Sequence, residues 1–176
     1  DAINDTAGTA DVAQIGGAIS IVTGDILARA EGVEQIVAAT DAATARAHSI
    51  VMNSNTNSND IRTIDLSGSS NVGSSSTVTL TGITNAFNVT GTAGNDIITG
   101  GSVIDTIEGG TGIDTITGAA GADILTGGAG ADVFLIAAAA DHAVGETIAG
   151  GSEADTIRFT STTGTETLTL LAGVTD

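Results

Sequence analysis

The chain of 176 residues has no Pro, Cys, Trp or Tyr and only three Phe, Phe87, Phe134 and Phe159, so any core must be thin and built from Ile, Val, Leu and Ala. Four cations, Arg29, Arg46, Arg62 and Arg158, face 21 Asp and Glu for a formal net charge of -17, which removes the basic footprint that nucleic acid requires and repels an anionic membrane surface. The absence of Cys excludes disulfides and thiolate zinc sites, the absence of Pro excludes a collagen-like repeat, and 41% hydrophobic residues is too many for simple disorder.

Beginning at Asp1 rather than Met, the sequence reads as a processed product or an excised piece. It shows no signal peptide and no apolar run of transmembrane length. Residues 1–32 read as an irregular N-terminal cap or linker, with Asp25–Ala30 as a short helical turn opened by Asp25. Residues 33–90 carry short strand-like runs: Glu34–Ala39, Ser49–Met52, Arg62–Leu66, Thr77–Leu80 and Phe87–Val89. Polar clusters, notably Asn53–Asp60 and Ser67–Ser76, separate them. They fit irregular β-solenoid rungs; the alternative is loops around an unrelated small fold.

From Gly91 the sequence repeats with period nine: Gly91–Thr99, Gly100–Glu108, Gly109–Thr117, Gly118–Thr126 and Gly127–Leu135. A sixth block, Gly150–Arg158, follows an interruption in which Ile136–Ala140 loses glycine and Asp141 is a weak remnant of the period. Gly stands first in each block, Asp sixth (Asp96, Asp105, Asp114, Asp123, Asp132, Asp155) and a large apolar residue eighth. Residues 136–176 thus form an interrupted repeat and a C-terminal β cap, with Glu166–Leu171 as a further strand candidate. Positions one to six make a Gly-rich turn, and positions seven to nine a β-prone triplet such as Thr115-Ile116-Thr117. Neighbours on a strand point to opposite faces, so the eighth residue faces inward while the seventh and ninth face out. Two blocks make one coil of about 18 residues, and stacked coils make two parallel sheets around a core one residue deep. The predicted fold is all-β, a right-handed parallel β-roll or β-helix solenoid.

Calcium takes six to eight oxygen ligands from carboxylates and carbonyls. Gly-rich turns can aim several carbonyls at one point, and each turn adds one Asp. Stacked loops two blocks apart would form cages, pairing Asp96 with Asp114, Asp105 with Asp123, and Asp114 with Asp132. Magnesium demands a small octahedron and zinc lacks Cys or clustered His, so several Ca²⁺ ions are the expected cofactor. The alternative for these Asp is that of solvated turn residues.

These residues carry a family resemblance. Gly109–Thr117 and Gly127–Leu135 match in full the pattern Gly-Gly-x-Gly-x-Asp-x-U-x, given in just this form as the Ca²⁺-binding repeat of RTX proteins, and residues 91–135 resemble an RTX nonapeptide β-roll. The resemblance implies Ca²⁺ held by the sixth-position Asp and by carbonyls of loop positions one, two and four: Gly94, Gly100, Gly101, Gly109, Gly110, Gly112, Gly118, Gly121, Gly127, Gly128 and Gly130, with Thr92 and Ala119 standing where Gly is expected. It also implies type I secretion to a bacterial exterior. Thr92 makes the first loop half a site, Val103 puts the backbone at Asp105 in doubt, and Glu153 either adds a carboxylate or spoils its turn. The pair Asp114 and Asp132, whose loops keep all three glycines, is expected to be the best formed.

The stretch Gly91–Asp96 is a poor phosphate loop: no helix pattern or Lys follows, and Asp96 would repel phosphate. His48 and His142 read as solvent-facing or packed residues, and Glu31 with Glu34 as a solvated face. No nucleophile elbow is present, and the chain is not expected to be an enzyme. The rungs around Thr77–Ile83 and Phe87–Thr92 resemble RTX-type bacterial S-layer proteins. The reading is therefore an extracellular, calcium-binding structural protein that self-associates through calcium into a surface layer or filament. Attachment to a bacterial cell surface would run through other chains or glycans. The alternative is an RTX folding and secretion module of a larger secreted enzyme, toxin or adhesin. Neither reading involves nucleic acid or a transmembrane segment.

Overall fold

The computed structural model describes residues 11–15, 20–22, 33–38, 40, 42–52, 61–138, 141–161 and 174–175. These form two parallel sheets and no α-helix. In chain order the strands are β1 (Asp11–Ile15), β2 (Ser20–Val22), β3 (Val33–Ala38), β4 (Ala47–Val51), β5 (Thr63–Asp65), β6 (Ser75–Thr79), β7 (Asn88–Thr90), β8 (Ile97–Thr99), β9 (Thr106–Thr111), β10 (Thr115–Thr117), β11 (Ile124–Ala129), β12 (Val133–Ile136), β13 (Thr147–Ser152), β14 (Thr156–Phe159) and β15 (Val174–Thr175). Odd-numbered strands build one sheet, in the order β1-β3-β5-β7-β9-β11-β13-β15, and even-numbered strands build the other, from β2 to β14. The chain alternates between sheets at every turn, which is the topology of a β-solenoid.

The period-two alternation sets the core. In β8, β10 and β12 the central residue of the triplet is buried and its neighbours are less so. Parallel register stacks Ile50, Val78, Ile98, Ile116, Phe134 and Ile157 in one sheet. Ile36, Ile64, Val89, Ile107, Leu125 and Ile148 stack in the other. All but Ile157 are buried, and Ile157 packs against the cluster from β14. One apolar residue per rung explains why so few aromatics suffice.

The strand-like runs of residues 33–90 are rungs of this same solenoid, and both sheets pass from them into the nonapeptide blocks without a break. One expectation changes. The stretch 1–32, read as an irregular cap or linker, contains β1 and β2, which pair in parallel with β3 and β4. The proposed helical turn Asp25–Ala30 and the strand candidate Glu166–Leu171 lie outside the described residues, as do the side chains of Glu31 and Glu34.

Candidate metal centre

Each sixth-position Asp sits at the mouth of a strand, one inward step before the apolar column. Its Oδ1 accepts a hydrogen bond from a backbone N–H of the coil before: Asp96 N–H to Asp114 (2.8 Å), Asp105 N–H to Asp123 (2.8 Å) and Asp114 N–H to Asp132 (2.8 Å). These contacts span 18 residues, so the stacking of loops two blocks apart is as the repeat dictates. Asp132 N–H donates to Asp155 Oδ1 at 2.9 Å across 23 residues, the excess coming from the interruption. The even-sheet column starts below the repeats, where the N–H of Ser76 donates to Asp96 Oδ1 and Ser76 itself lies in register with His48. On the odd sheet the N–H of Phe87 donates to Asp105 Oδ1 at 2.8 Å. Asp96, Asp105, Asp114, Asp123 and Asp132 are all buried.

The second carboxylate oxygen separates the loops into two kinds. Asp96 Oδ2 accepts the Thr92 N–H (2.6 Å) and Asp105 Oδ2 the Gly101 N–H (2.7 Å), so both are satisfied within their own loops. The Oδ2 atoms of Asp114, Asp123 and Asp132 are buried without a partner. Backbone geometry follows the same division. Loop positions two and four are left-handed at Gly110 and Gly112, Ala119 and Gly121, Gly128 and Gly130, and Gly151 and Glu153, but not in the first two loops. The doubt attached to Val103 and Thr92 is thus a real difference in turn geometry. Glu153 does not spoil its turn: it adopts φ 74°, and its Oε2 accepts the Gly130 N–H at 2.8 Å. Ala119 takes φ 69° in the place of a glycine.

Carbonyl oxygens converge beside these carboxylates. The place a Cβ would take on Gly109 lies against Asp114 Oδ2 and 2.7 Å from the Gly127 carbonyl of the coil above. Gly127 repeats this with Asp132 Oδ2 and the Gly150 carbonyl at 2.5 Å; Gly91 and Gly100 do so with Asp96 and Gly109 O, and with Asp105 and Gly118 O. At position two the Thr92 carbonyl lies 2.6 Å from the corresponding point on Gly110, and Gly110 O abuts Gly128. At position four the Gly94 carbonyl lies 2.7 Å from the point on Gly112, and Gly112 O abuts Gly130. Carbonyls of positions one, two and four thus face the adjoining coil at these loops.

Among the described residues no three His, Asp or Glu side chains gather to hold a metal. A cation here would be held by one or two carboxylates completed by carbonyls, an all-oxygen set suited to Ca²⁺. Electrostatics make the same point. Burial pushes the Asp114 carboxyl up to about 7, against the opposing Asp96 N–H, with the charges of Asp96 and Asp132 adding to the rise. Burial likewise pushes Asp123 up to about 6, and raises Asp96, Asp105 and Asp132. A buried carboxylate with no hydrogen bond and like charges nearby is costly until a cation arrives.

Sequence reasoning missed Glu146. Thr147 pairs with Ile124 and its N–H donates to the Asp123 carbonyl at 2.8 Å, which sets Glu146 above Asp123 in the odd-sheet column. Asp141, read as the remnant of the period, is off the column; its Oδ2 accepts the Ala138 N–H at 2.9 Å. The signal was in the sequence: Glu146-Thr147-Ile148 repeats Asp105-Thr106-Ile107, nine residues before Asp155. The two histidines are packed rather than solvent-facing, His48 Nε2 lying 2.6 Å from Ser69 Oγ and His142 Nδ1 2.8 Å from Glu146 Oε2.

A family model described as the RTX calcium-binding nonapeptide repeat (4 copies) matches residues 88–102 and 100–134. No curated protein and no solved structure matches the chain.

Proposed function

Residues 88–134 are RTX calcium-binding nonapeptide repeats, and from that premise we propose that this is an extracellular structural module whose β-solenoid is completed by calcium and which then self-associates into a surface layer or filament. The observation that carries the calcium half is the row of buried, unpartnered Oδ2 atoms of Asp114, Asp123 and Asp132, two of them meeting a carbonyl of the next coil where a Cβ would stand. Bound Ca²⁺ supplies the positive charge that these oxygens lack. Asp114 and Asp132 would each give a carboxylate, and the carbonyls of Gly127 and Gly150 would complete the set. Where calcium is scarce the acidic column disfavours the fold, which suits a chain exported unfolded by a type I system.

Self-association is supported by the ends of the solenoid. Among the described residues β14 is the last strand of its sheet, and Ile157 and Phe159 are only half-buried there, while Phe134 and Ile136 beneath them are buried. A parallel solenoid presents the same strand direction at both ends, so a second copy can continue each sheet. Calcium also neutralises part of the formal charge of -17 that keeps copies apart. Electron microscopy and light scattering in a few millimolar Ca²⁺ test this reading. Ordered sheets or fibres are expected; a calcium-loaded species that stays monomeric at high concentration would favour the secretion module of a larger protein.

A further inference from the structure

The interruption between the fifth and sixth blocks leaves the loop that stacks on Gly118–Asp123 with one glycine, Gly145, and none at positions one, two and four, and it lies beyond the residues that the repeat family covers. A calcium column would be expected to end there. Three observations say otherwise. Glu146 occupies the column position directly above Asp123, fixed by the pairing of Thr147 with Ile124 and of Ile148 with Leu125. Glu146 is 2% exposed and Asp123 0%, so two acidic side chains are stacked out of water. Asp123 Oδ2 has no partner, and the three atoms nearest the point where a Cβ would stand on Gly118 all belong to the Asp123 side chain, whereas at Gly109 and Gly127 a carbonyl of the coil above is among them.

Charge bookkeeping sharpens the point. Glu146 and Asp141 both bring negative charge close to Asp123. The one imidazole nearby, His142, is committed to Glu146 Oε2 at 2.8 Å. It offsets one negative charge at most and leaves Asp123 uncompensated.

Building on the calcium reading above, we propose that Asp123 and Glu146 together hold one further divalent cation, a site of non-repeat chemistry in which the longer Glu146 side chain takes over the role that loop carbonyls play in the other cages. His142 is a positioning residue that fixes one Glu146 oxygen. The extra methylene of Glu lets the carboxylate reach across a loop with Asp141, His142 and Val144 where the repeat has glycine, so the column continues over the interruption toward β13.

Calcium per chain, measured by equilibrium dialysis with elemental analysis on the full chain, tests this. Glu146→Gln should bind one ion fewer than wild type. Asp123→Asn, which removes a carboxylate that also faces the Asp105 loop, should lose at least that ion, and the double variant no more than Asp123→Asn alone, because both remove the same site. Glu108→Gln, exposed on β9, is expected to keep the wild-type count. A wild-type count in Glu146→Gln, or a double variant that loses more ions than Asp123→Asn alone, would overturn the site while leaving the repeat reading intact. A wild-type chain that binds no calcium would overturn both. Should Glu146→Gln not fold, Glu146→Asp, which keeps the charge and withdraws the carboxylate by one methylene, takes its place: one ion fewer is expected, and a full count rejects the proposal.

Discussion

At the scale of single residues, the decisive atoms are carboxylate oxygens and the backbone that frames them. The buried Asp have native carboxyl values raised above their unfolded ones, so the calcium-free native state binds more protons than the unfolded chain. Its stability is therefore greatest in acid and falls as pH rises from about 4 through the value of about 7 at Asp114. In chelator, the β-signal in circular dichroism should be larger at pH 5 than at pH 8, and the rise in melting temperature on adding calcium should be larger at pH 8. The opposite order would contradict deprotonated, cation-dependent Asp. Ala119 at φ 69° carries left-handed strain of about 1–2 kcal/mol, partly offset in Gly by unfolded-state entropy. Ala119→Gly should stabilise the calcium-loaded chain by ~0.5–1 kcal/mol in denaturant melts. Gly130→Ala should do the reverse by ~2 kcal/mol or more, since its Cβ would meet the Gly112 carbonyl at φ 129°.

At the scale of the element, each rung is a triplet with one buried apolar residue between two coils. Ile116 lies between Ile98 and Phe134 and is fully buried. Ile116→Ala should cost about 2–5 kcal/mol of unfolding free energy, with the exposed Thr106→Ala near neutral in the same assay. The nonapeptide rungs and their stacking were legible because one loop length fixes both strand register and Asp position. The upstream strands were legible as runs, while their common column was not: Ser76 and His48 share the inward positions of the Asp, and nothing in residue type links them. Glu146 escaped because the period was followed by Asp alone, although Glu-Thr-Ile and Asp-Thr-Ile place a carboxylate equally well. The two kinds of loop were half legible. Thr92 and Val103 marked the first two as atypical, but local capping of Asp96 and Asp105 by N–H groups of their own loops depends on turn geometry that composition does not reveal.

At the scale of the molecule, the solenoid is a stack of thin coils, each stabilised mainly by its neighbours, with a line of acidic groups near the core. Removing a cation from the middle should disturb more than removing one from the end. Asp114 links to Asp96 below and Asp132 above, while Asp155 closes the described column. Asp114→Ala should lower the calcium-saturated melting temperature more than Asp155→Ala; equal losses would contradict the stacking register. The central claim is that calcium completes this fold, and far-ultraviolet circular dichroism of the full chain at pH 8, titrated with Ca²⁺ from a thoroughly chelated start, tests it most directly. The account predicts a cooperative gain of β-signal with a midpoint of roughly 10⁻⁴–10⁻³ M, reversed by chelator. A spectrum already fully β in chelator, and unchanged by millimolar calcium, would contradict it.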